Sequence, residues 1–77
     1  MVTKMIDKVS AFLRMLAIES EVRRIQNEIV RLEDKRYEVK SEEERKRIER
    51  RIFKLTDELK KLSDEWSRLR IILSNHR

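Results

Sequence analysis

Glycine, proline and cysteine are all absent from this 77-residue chain. Average usage is about 7% for glycine and about 5% for proline, so losing both removes the usual means of tight β-turns, bulges and left-handed caps. A β-rich fold is argued against. Without cysteine there are no disulfides and no thiolate chemistry, and the redox compartment is left open. The longest uninterrupted apolar run is Met15-Leu16-Ala17-Ile18, far short of the roughly 20 residues that a membrane-spanning helix needs. Lys4, Lys8 and Arg14 interrupt the apolar residues of the first eighteen positions, so no signal-peptide core is read there and the sequence assigns no localisation.

What the chain does contain is charge in helical spacing. Asp, Glu, Lys and Arg make up 45% of it, with a formal net charge of +5 drawn from mixed signs rather than from a tail. Such a balance favours solubility and a weak attraction to polyanions, and names no partner by itself. Lys, Arg, Glu, Leu and Ile dominate, as in long helices with salt-bridged surfaces. The length allows one domain, residues 1–77, whose core supplies little surplus stability alone. The expectation is an all-α, antiparallel up-down helical bundle.

The most regular stretch is 48–73. Ile48, Ile52, Leu55, Leu59, Leu62, Trp66, Leu69 and Leu73 alternate in steps of four and three, which describes one amphipathic helix with a single buried seam. Upstream, Ile18, Val22, Ile25, Ile29 and Leu32 form a second stripe, with Val39 near its end. The earliest residues, Val2, Met5, Ile6, Val9, Phe12, Leu13 and Leu16, form a third. At about 100° per residue the first and second of these along the chain point to nearly opposite sides of a straight helix. The reading adopted is a break near Ala17–Ser20, giving helices of about 3–17, 20–39 and 42–75, with Thr3 and Ser20 as caps. The alternative is that the first two are one kinked helix.

The second boundary is better marked. Ser41-Glu42-Glu43-Glu44 is a capping box, with three carboxylates opposing the positive end of the helix that follows. Lys35, Arg36 and Lys40 suit the end of the helix before. So short a connection makes the flanking helices antiparallel neighbours. Folding there sets Leu32 opposite Ile48, Ile29 opposite Ile52, Ile25 opposite Leu55, Val22 opposite Leu59 and Ile18 opposite Leu62. Every pair is aliphatic. Arg36 would face Arg45, so the seam is expected to splay there and let both cations reach water.

Two helices, or two and a half, leave apolar side chains uncovered, and such patches mark interfaces. Phe12, Leu13, Leu16, Phe53, Trp66, Leu69 and Ile72 are the candidates for self-association. A homodimer closing a four- or six-helix bundle is the expected partner arrangement.

Chemistry is poorly provided for. The only histidine, His76, stands one residue from the C-terminus. Nearly every carboxylate has a basic residue three or four positions away, as surface ion pairs do, and such carboxylates are not a pair held apart for acid–base work. No Glu-x-x-His motif and no Cys/His cluster offers a metal site, and no glycine-rich loop cradles phosphate. No enzyme, cofactor, metal or small-molecule substrate is expected. Two further partner classes fit parts of the pattern. Arg47, Arg50, Arg51, Lys54 and Lys61 share one side of the long helix, and Arg24, Arg31 and Lys35 line a side of the preceding one, a stripe fit to neutralise phosphates of nucleic acid. Glu42, Glu43, Glu44, Glu49 and Glu58 interrupt it, and no aromatic is read among the cations for base stacking. Residues 1–18 carry three cations against Asp7 and a broad apolar side, a pattern that would also suit an interfacial membrane helix, although covering the bundle is the more ordinary use.

Matched seams, a capping box and salt-bridged surfaces together resemble computationally designed helical bundles, including those assembled from native helix–turn–helix fragments. The chain departs from them in having no loop glycine. That resemblance implies that the fold itself is the purpose, with no ligand or substrate.

Overall fold

A computed structural model describes residues 2–74, and side chains from Lys8 onward. It is a hairpin of two long helices, α1 (Val2–Glu38) and α2 (Glu42–Ser74). They form a rod of 60 × 15 × 15 Å, and no strand occurs among the described residues. The all-α class is as expected from composition and periodicity.

The turn sits where the capping box places it. Arg45 N–H donates to the Ser41 carbonyl at 3.0 Å, opening α2, and Val39 N–H donates to the Lys35 carbonyl at 3.1 Å, closing α1. The Glu44 amide donates to Ser41 Oγ at 3.4 Å, which occupies one of the amides that a helix start leaves unpaired. Glu42, Glu43 and Glu44 fill the first turn of α2, and Lys35 and Arg36 the last turn of α1, each sign opposing the dipole end it meets. No described residue has positive φ. The chain reverses through Val39, Lys40 and Ser41 in ordinary right-handed or extended backbone, so the loop can do without glycine.

The expected break near Ala17–Ser20 does not occur. α1 runs unbroken from Val2 to Glu38, the one-helix alternative. Ser20 and Glu19 carry start-like signals, but with no Gly or Pro nearby nothing interrupts the backbone ladder, and Ser20 sits exposed in mid-helix. The two stripes on opposite sides turn out to be two faces of one helix rather than two helices. The expected caps fare accordingly: Ser20 caps nothing, while the Thr3 side chain lies outside the described residues.

The seam of α1 extends further back than the aliphatic pattern suggests. Stepping from Ile18 by three and four gives Met15 and then Ala11, and the structure buries Ala11 with Ile18, Ile25, Ile48 and Leu55. Val22, Ile29, Leu32, Ile52, Leu59, Leu62, Trp66, Leu69 and Leu73 are half-buried beside them. Two helices cannot enclose a side chain on every side, so only the Ile25–Leu55 layer is buried from both helices, while Ile18 and Ile48 are buried opposite half-buried Leu62 and Leu32. Both arginines near the turn have polar partners. Arg36 reaches Glu49 at 3.8 Å, and Arg45 donates to the Val39 carbonyl at 3.5 Å.

Candidate interaction surface

A helix with a seam in steps of three and four presents two flanks beside that seam. In this hairpin the two flanks are chemically unlike. One carries Arg14, Glu21, Glu28 and Lys35 on α1 against Glu44, Arg51, Glu58 and Glu65 on α2. Arg14 makes a two-pronged bond to Glu65, Nε to Oε2 at 2.8 Å and Nη2 to Oε1 at 3.0 Å. Arg51 meets Glu28 at 3.1 Å. The Glu65 carboxyl is held below the ordinary carboxylate range by the hydrogen bond from Arg14, and Arg14 is raised by the same contact. Glu21 would stand level with Glu58, and Arg24 relieves it by bonding Glu21 at 2.6 Å. That bond raises the Arg24 pKa, with Glu28 and Glu58 adding to it. These cross-helix pairs are legible only once the register is known. The local ion pair Asp57–Lys61 forms as the spacing predicts, at 3.4 Å.

The opposite flank carries Phe12, Glu19, Gln26 and Glu33 against Glu49, Thr56, Ser63 and Arg70. Short uncharged side chains at Gln26, Thr56 and Ser63 leave an open groove whose floor includes Ile18, Val22, Leu59 and Trp66. Trp66 Nε1 donates to Glu19 Oε2 at 3.1 Å, and the Arg70 guanidinium lies 5.7 Å from the Trp66 ring centre. The indole is thereby fixed at the end of the groove, its polar edge satisfied and its body in the seam.

The exposed candidate self-association residues fall into an open-end group and a mid-length one. Phe12, Leu13 and Leu16 are exposed near the open end of the hairpin, with Val9 beside them. Phe53 is 76% exposed at mid-length, close to the level of exposed Val30, while Ile71 and Ile72 are exposed at the end of α2, level with Val9 and Phe12 at the same open end. Trp66 and Leu69 are half-buried within the hairpin's own seam. Val2, Met5 and Ile6 have side chains outside the described set, and His76 lies outside it altogether.

The two basic stripes fall on the same flank, the ion-paired one. Arg24, Arg31 and Lys35 line one shallow hollow, shared with Glu28. Arg47, Arg50, Arg51 and Lys54 line another, and Phe53 closes it on the outward side of α2, at the border with the groove flank. This differs from the expectation of a stripe without an aromatic. Helical neighbours at three and four positions bring Phe53 beside Arg50 and the adjoining cations. Among the described residues no polar side chain is buried, no group of three acidic, His or Cys side chains could hold a metal ion, and no helix is long and apolar enough to cross a membrane.

Compared with known proteins, the chain matches no family model, no curated protein and no solved structure.

Proposed function

We propose that this hairpin is a structural module that pairs with copies of itself to complete a larger helical bundle, and that it performs no catalysis. The observation that carries this is the number of large apolar side chains facing solvent. Val9, Phe12, Leu13, Leu16, Val30, Phe53, Ile71 and Ile72 are all exposed, against a buried core of five residues. A two-helix unit with more large apolar groups outside than inside gains stability by covering them. The role parallels that of designed bundles, where assembly is the whole purpose. Light scattering after size exclusion tests it. A mass near twice 9.5 kDa at higher concentration, falling on dilution, is expected. A single hairpin mass at every concentration overturns the reading.

One observation favours a second reading, nucleic-acid binding. Phe53 stands exposed among Arg47, Arg50, Arg51 and Lys54, a stacking platform beside backbone-neutralising charges. Glu28 and Glu21 already engage Arg51 and Arg24, which weakens that stripe. A mobility shift with single-stranded oligonucleotides, steeply salt-dependent and lost in Phe53→Ala, would support it. No shift at low salt discards it.

A further inference from the structure

Resting on the self-association reading, we infer that the groove flank docks a second copy of the hairpin face to face and antiparallel, about a two-fold axis near Phe53 and Thr56. The charges along this flank set the arrangement. Hairpin register puts Gln26 level with Thr56 and Val30 close to Phe53, giving a central stretch with no charged side chain. Toward the turn, Glu33 and Glu49 share one level. Toward the open end, Arg23 and Lys60 share another. Glu49 and Lys60 are eleven positions apart, about 16 Å along the helix, and the neutral stretch lies midway between them.

Two symmetric ways exist to stack the flank on itself. With the two-fold parallel to the helices, equal levels meet, and acids face acids while bases face bases. With the two-fold across the helices at the neutral stretch, Glu33 and Glu49 of each copy meet Arg23 and Lys60 of the other. Only the second is complementary. Neighbouring charges reduce these poles: Arg36 reaches Glu49 at 3.8 Å, exposed Arg45 stands one turn before Glu49, and Glu19, one turn beyond Arg23, is held by Trp66 Nε1. Phe53 and Val30 then pack over the partner's Thr56 and Gln26, where the short side chains leave room.

Area supports the same choice. Centred there, about 21 residues of α1 and about 25 of α2 overlap, about 31–37 Å of a face two helices wide. That footprint buries roughly 1,300 Å² in total, within the range of specific stable interfaces. A contact centred instead on Phe12 and Leu16 is greasier but sits where α2 is ending at Ser74. It would overlap mostly a single helix and bury roughly half as much.

Complementary charge reversal tests the proposal. Glu33→Lys/Glu49→Lys makes both poles basic, and Arg23→Glu/Lys60→Glu makes both acidic. Each variant alone should dimerise more weakly than wild type by roughly tenfold or more in sedimentation equilibrium. Mixed one to one, they should recover wild-type affinity as a heterodimer, seen by native mass spectrometry. All four positions are exposed, and circular dichroism verifies that each variant is helical. Independently, Thr56→Cys should be joined copy to copy by a short bis-maleimide, whereas Asp64→Cys, on the outward face, should not. Wild type that stays monomeric overturns both this inference and the self-association reading. Wild type that dimerises, with variants that dimerise equally well and show no preference for each other, overturns the docking mode alone. A Thr56→Cys protein that dimerises but does not cross-link does the same.

Discussion

Truncating Leu55 is the sharpest test of the seam. Leu55 is 2% exposed and lies opposite Ile25, which is 3% exposed, so the two form the best-shielded layer between the helices. Removing its outer carbons forfeits transfer energy and leaves a void, together about 2–5 kcal/mol for a buried leucine. Two helices leave the layer open at both flanks, so neighbours and water can move in. The lower half of that range, about 2–3 kcal/mol, is therefore expected. Against a stability of about 0.05–0.15 kcal/mol per residue, this is a large share of the total. At about 4–8 °C per kcal/mol for a domain of this size, the melting midpoint of Leu55→Ala should fall by roughly 8–24 °C. Phe53→Ala, two residues away but 76% exposed, should change the isolated hairpin by no more than about 0.5 kcal/mol. Urea and thermal unfolding are to be followed by circular dichroism at several concentrations, because partner binding adds its own stabilisation. At the lowest concentration, equal losses for the two variants would refute the seam.

Three further outcomes are expected. Ser41→Ala should lower the urea midpoint by an amount equivalent to about 1 kcal/mol, and Ser41→Asp should restore most of it, while an unchanged midpoint in the alanine variant would mean that the 3.4 Å bond to the Glu44 amide does not hold the turn. Glu65 titrates below its ordinary value because of Arg14, so its contribution is present above the ordinary carboxylate range and lost as pH falls through the lowered folded value. The stability gap between wild type and Glu65→Gln should therefore close on acidification, and a gap independent of pH would contradict the pairing. Leu59→Asp puts an unpaired charge half-buried in the seam and should abolish cooperative unfolding, whereas Lys60→Asp should remain helical; similar spectra for the two would exchange the assigned inside and outside of α2.

The parts of this fold legible in the sequence were those signalled by short-range chemistry. The Ser41 box and the acids after it marked the turn, and the steps from Ile48 to Leu73 marked the partner-facing edge of α2. The break near Ala17–Ser20 shows where that logic stops. A serine and two glutamates resemble a helix start, but a cap preference of about 1 kcal/mol does not interrupt a ladder whose seam continues on both sides. Ala11 was missed because alanine adds little to an apolar stripe, although stepping back from Ile18 reaches it. The bonds Arg14–Glu65 and Arg51–Glu28 join residues far apart in the chain, and only a fixed register pairs them. The seam pairing from Leu32/Ile48 to Ile18/Leu62 implies that register, so the unlike flanks follow once it is carried outward from the aliphatic pairs. Phe53 among the cations needs no register at all, since Arg50 lies three positions before it on the same helix.

The phase of the two seams across the turn has a consequence for exchange between copies. Leu32 and Ile48 stand sixteen positions apart, two more than a whole number of seven-residue repeats, so in a continuous helix their edges would point about 160° apart. Were Val39–Ser41 to straighten, each chain would become a rod greasy on one side for half its length and on the other side for the rest. Such rods cannot swap halves and keep both edges covered, because zipping one half turns the other outward. The slip of two residues thus ties each α2 to its own α1.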